Sequence, residues 1–116
     1  MSYIKNMQAD TVLPLAKEIE ILPGQVVSKT LAQNEAVSIT LFAFAKGEEI
    51  SAHDSDGDAM VQVLEGTGQF TVGSKIHHVH QGEVLIMPAT IRHAVFAEEA
   101  FKMLLTVIFP REKKGA

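Results

Sequence analysis

From Gln25 onward the chain alternates between short runs of Val, Ile, Leu, Phe and Thr and short polar breaks. Residues 25–31 and 36–45 are two such runs, separated by Ala32-Gln33-Asn34-Glu35, which reads as a turn between strands. Lys46-Gly47-Glu48-Glu49 ends the second run. Residues 50–53 predict a short strand before Asp54-Ser55-Asp56-Gly57, whose residue types favour turn conformations. Further strands are predicted at 59–64, 69–72, 75–80, 84–87, 93–96 and 101–109. Gly66, Gly68, Gly73 and Gly82 fall between them, where a reversal costs glycine least. No stretch after residue 25 carries a 3.6-residue apolar stripe; only 13–21 has a helical reading, with Pro14 at its tolerated start. Many short strands at nearly even spacing predict an all-β sandwich or closed barrel, not βαβ units.

Two strands are apolar at both parities. Along Leu41-Phe42-Ala43-Phe44-Ala45, and along 101–109 apart from Lys102 and Thr106, both faces call for burial, whereas an antiparallel sheet normally shows one polar face. Either another subunit covers the second face or the chain's own N-terminal residues do.

Composition narrows the function classes. The chain has 116 residues, 47% of them hydrophobic, which suits one folded domain with a real core and argues against disorder. It contains no cysteine, which removes disulfides, thiolate zinc sites, iron–sulfur clusters and cysteine nucleophiles, and allows a cytoplasmic location. The net charge of −4 argues against a nucleic-acid partner. The N-terminal ten residues carry no signal-peptide core, and the apolar runs fall far short of the ~20 residues of a membrane helix, so no membrane partner is expected. All five histidines lie between residues 53 and 93.

Two glycine-to-histidine segments carry a resemblance. Gly47-Glu-Glu-Ile-Ser-Ala-His53-Asp-Ser55, continuing through Ala59 to Gly66, resembles the first motif of the cupin family: Gly, five residues, His-x-His, three or four residues, Glu, six residues, Gly. Gly82-Glu-Val-Leu-Ile-Met-Pro88-Ala-Thr90-Ile-Arg-His93-Ala-Val-Phe-Ala97 resembles the second: Gly, five residues, Pro-x-Gly, two residues, His, three residues, Asn. The resemblance implies a small conical β-barrel of the jelly-roll type, a double-stranded β-helix. It would fill residues 1–116 as one domain, with a barrel at about 26–109, an N-terminal arm at 1–25 and a tail at 110–116. With the two-sided strands, it also implies a homodimer.

The departures matter more than the matches. The family's metal ligands are two histidines and a glutamate from the first motif and one histidine from the second. His53 and His93 stand at ligand positions, while Ser55 replaces the second histidine, Ala59 the glutamate, Thr90 a shaping glycine and Ala97 an asparagine. A divalent Fe, Mn, Ni or Zn ion is held firmly by three or four imidazole or carboxylate donors; two would hold it weakly. Asp58 and Asp54 sit at the wrong strand parity to help. The same parity turns Val61 inward with Ala59, an apolar pocket floor. In Ile76-His77-His78-Val79-His80, period two puts His78 and His80 on one face, expected to be solvated. His77 falls on the other, as a pocket liner or a core histidine. Three functions follow as expectations: a barrel binding a small organic ligand; a metal-dependent oxygenase or isomerase working through His53 and His93; and a metal-free, epimerase-like acid–base enzyme, for which no inward carboxylate is evident. The first leads.

Overall fold

In the computed structural model, which describes residues 3–111, each of the runs above forms a strand. They are β1 (Val26–Gln33), β2 (Val37–Phe44), β3 (Glu49–His53), β4 (Asp58–Glu65), β5 (Thr67–Val72), β6 (Lys75–His80), β7 (Val84–Met87), β8 (His93–Phe96) and β9 (Phe101–Ile108). The expected tail falls mostly on residues 112–116, outside the described part of the chain. Two antiparallel sheets result, in the orders β1-β2-β9-β4-β7 and β3-β8-β5-β6, giving the jelly-roll sandwich.

Two boundaries differ from expectation. Residues 32–35 are not the turn: β1 absorbs a bulge between Thr30 and Ala32 and runs on through Gln33. The reversal begins at Asn34, whose Oδ1 accepts the backbone N–H groups of Ala36 and Val37 at 2.8 and 3.1 Å, an asparagine turn that substitutes for ladder bonds. The helix read over 13–21 is only a 3-10 turn, Leu15–Glu18. A lone turn cannot recover the cost of helix nucleation, and extended flanks let Leu15, Ile19 and Ile21 all reach the sheet. Lysines hold it there: Lys102 Nζ donates to the Ala16 carbonyl at 2.7 Å and Lys29 Nζ to the Glu18 carbonyl at 3.1 Å.

This packing resolves the two-sided strands. On β2, Phe42 and Phe44 face the space between the sheets with Val61, Val63, Phe70, Phe101 and Met103. Leu41 and Ala43 face outward, under Ile19, Leu15, Ile21 and Met7 of the N-terminal segment. The chain's own arm therefore covers the outer face of β1, β2 and β9. It stops short of β7 and the end of β9, where Val84, Ile86 and Ile108 stay more than half exposed. Among the described residues, no helix is long and apolar enough to cross a membrane.

Candidate functional site at the barrel mouth

Register brings the two motif histidines together. β3 pairs with β8 so that His53 lies opposite His93, after an irregularity between Ile50 and His53 that resets the strand. Cross-strand neighbours share a face of the sheet, and the rings meet edge to face, centroids 4.4 Å apart and planes at 65°. Each ring is aimed by its own backbone: His53 Nδ1–H donates to the Ser51 carbonyl at 3.0 Å and His93 Nδ1–H to the Ile91 carbonyl at 3.2 Å. A carbonyl only accepts, so the neutral rings carry their proton on Nδ1 and leave the Nε2 lone pair free. That is the tautomer in which an imidazole serves as ligand or hydrogen-bond acceptor.

The pair is asymmetric, with His53 exposed and His93 buried. Burial pushes the His93 imidazole below the usual histidine value; the hydrogen bond to Ile91 opposes this, a protonated His53 adds to it, and Asp54 opposes it. A group with a depressed folded-state pKa binds protons better in the unfolded chain, so its contribution is fully present above about pH 6.5 and is lost as the pH falls below it. Urea unfolding between pH 8 and 5 should therefore show stability declining on the acid side, with a shallower decline in His93→Gln. An equal slope in both proteins would contradict the assignment.

The other motif positions fall as follows. Ser55 is half-buried and spends its oxygens on the loops: Oγ accepts the Gly57 N–H at 3.1 Å and its carbonyl accepts the Thr90 N–H at 2.8 Å, tying the first motif to the second. Gly57 must lack a side chain, since a Cβ there would lie 2.6 Å from the Ile108 carbonyl oxygen. Asp58 faces away, its Oδ1 accepting the Ala89 N–H at 2.8 Å. Ala59 and Val61 are 2% and 0% exposed, a closed apolar floor beneath the mouth. His77 is half-buried opposite Phe70, on the inner face. His78 and His80 are exposed on the outer face, His78 Nε2 lying 3.4 Å from Glu98 and His80 Nδ1 2.9 Å from the Thr67 hydroxyl. Arg92 is also exposed, its guanidinium donating to the Ala52 carbonyl at 3.3 Å.

Thr90 stands where the second motif has glycine, at φ 68°. A β-branched residue is strained in this left-handed region. Thr90→Gly should therefore stabilise the fold by about 0.5–1 kcal/mol, the relieved strain exceeding glycine's entropy cost. Chemical denaturation checks this, and a loss of stability would contradict it.

Among the described residues, no group of three His, Cys, Asp or Glu side chains is placed to hold a metal ion. The donor set at the mouth is two imidazoles, which fits a weakly held divalent ion and does not fit a firmly bound resident metal. Sequence reasoning did not single out a second feature of the mouth. Thr30, Ser38 and Thr40 share the inner face with Phe42 and Phe44, since Thr40 pairs with Thr30 and Leu105, and Ser38 with Val107. The signal was present in the alternation from Thr40 to Phe44, but two-sided hydrophobicity masked it. A cleft of about 490 Å³ lies between Lys17, Ile19, Leu22 and Val27, and another of about 320 Å³ lies beside Ile108 and Pro110; neither includes His53 or His93.

The cupin domain model matches residues 40–109, and the chain belongs to the cupin family. Among solved structures, it is similar to a conserved protein of unknown function from Streptococcus pyogenes, SPY1581, with 44% identity and a TM-score of 0.94 over 97% of this chain and 98% of that one. It is also similar to a cupin superfamily protein from Desulfitobacterium hafniense, with 35% identity and a TM-score of 0.89 over 94% of this chain and 100% of that one. A cupin 2 conserved barrel domain protein from Leptotrichia buccalis is 42% identical, with a TM-score of 0.79, over 80% of this chain and 45% of that longer one. No curated protein matches. The chain is thus a small cupin-domain protein.

Proposed function

We propose that this cupin binds a small organic molecule at the barrel mouth, with His53 and His93 as its polar anchors and with a divalent Fe, Mn, Ni or Zn ion held there only weakly. The observation that carries the reading is the matched pair of imidazoles, each locked by its own backbone carbonyl with Nε2 free, over an apolar floor. Preorganised polar groups over an apolar surface are what a small-molecule site requires. The half-buried His77 extends the same inner face from β6. The reading places the protein in the cytoplasm as a homodimer, which a light-scattering mass of one chain would contradict.

The test is small-molecule fragment binding to untagged protein, followed through the histidine ring resonances. Binders are expected to move His53 and His93 and to lose affinity in His53→Ala and His93→Ala. Binders that leave both rings unmoved, with affinity intact in both variants, would overturn the reading.

A further inference from the structure

The inner face of β1 and β2 has unusual chemistry for the inside of a β-sandwich. Thr30, Ser38 and Thr40 are half-buried on the inner face of β1 and β2, and none of their hydroxyls has a hydrogen-bond partner among the described residues. Among the described residues no buried side-chain N or O atom is left without a partner, so these hydroxyls are reached from the open side. They lie at the histidines' end of the barrel. Gly57, which follows Ser55 in the loop from β3, abuts Val107 and Ile108, and Val107 pairs with Ser38. At the other end of the same face stand Phe44 and Phe101.

Among the described residues, one carboxylate adjoins the histidine pair. Asp54 follows His53 directly and acts electrostatically on His93. Arg92, next to His93 in the chain, spends its guanidinium on a backbone carbonyl. Lys75 shares a rung with Val72 and His93 but its backbone lies two strands away, about 10 Å. A carboxylate or phosphate would meet two imidazole lone pairs and the Asp54 carboxylate. Lone pairs and hydroxyls instead suit a ligand that donates hydrogen bonds.

We propose that the mouth selects an uncharged or cationic small molecule bearing hydroxyl or amine donors, held between the His53–His93 pair and the Thr30, Ser38 and Thr40 hydroxyls, and that it discriminates against carboxylates and phosphates. This rests on the mouth being the ligand site.

The test uses an isosteric series, benzyl alcohol, benzylamine and benzoate, titrated at pH 8 against the His53 and His93 ring resonances of the full chain. Benzyl alcohol and benzylammonium should bind at least about fivefold tighter than benzoate, and Thr40→Val should weaken benzyl alcohol by about three- to tenfold, the value of one hydrogen bond. Ser38→Ala provides a second reading of the hydroxyl wall if Thr40→Val does not fold. Asp54→Asn should narrow the gap to benzoate. Benzoate binding as tightly as the alcohol would overturn the selectivity and leave the site standing. Unchanged affinity in the hydroxyl variants would remove the wall from it. If none of the three moves either ring, this inference and the site both fall.

Discussion

Phe101→Ala is expected to destabilise the protein by about 3–5 kcal/mol, the range for removing a fully buried aromatic side chain. Phe101 has no exposed surface. Its ring stacks on Phe44 at 4.7 Å and meets Phe70 edge-on at 6.0 Å, so it joins the two sheets at the closed end of the barrel. The ring also fills the space over Gly68, where a Cβ would lie 2.6 Å from Phe101 Cε2. The glycine and the aromatic are therefore one packing unit. Truncation leaves a cavity that neighbouring β-strands cannot close without losing ladder bonds. Urea denaturation measures the effect, and a loss below about 1 kcal/mol would contradict the packing described.

The second large effect concerns the mouth. Zinc or nickel titrated into untagged protein should bind weakly, and His53→Ala or His93→Ala should each lower that affinity by roughly tenfold or more, because each removes one of two donors. The outer pair supplies the control. His78 and His80 stand at i and i+2 on an exposed strand face, close to Glu98 and Thr67, so His78→Ala with His80→Ala should leave the His53–His93 binding unchanged. Calorimetry on the three variants separates the sites. Affinity that survives loss of His53 and His93 but vanishes with His78 and His80 would move the ion to the outer face.

How much of this was legible in the sequence depends on the range of the interaction involved. Strand positions followed from local alternation and turn residues, and family membership from two motifs in order. The burial of Leu41 and Ala43 was equally readable, but the identity of their cover was not. That depends on Met7, Leu15 and Ile19 crossing back over β2, a long-range packing choice that local pattern does not encode. The possible short helix over 13–21 shrank to the 3-10 turn at Leu15–Glu18 for a related reason, since the sheet's demand for Leu15, Ile19 and Ile21 outweighed a weak local preference. The turn at 32–35 was misplaced because a bulge at Leu31 lengthened β1. At the site, parity placed His77 inward and His78 and His80 outward, as the register has them. The imidazole tautomers were beyond reach, because they are set by where the Ser51 and Ile91 carbonyls point after folding.

The central claim is that His53 and His93 form a preorganised acceptor pair at the barrel mouth. Long-range ¹H–¹⁵N correlation of the histidine rings at pH 8 measures this directly. The account predicts that both rings are protonated at Nδ1 with a bare Nε2, and that both Nε2 signals move together when a bound small molecule or zinc is added. Nε2-protonated rings, or ligand shifts confined to His78 and His80, would contradict it.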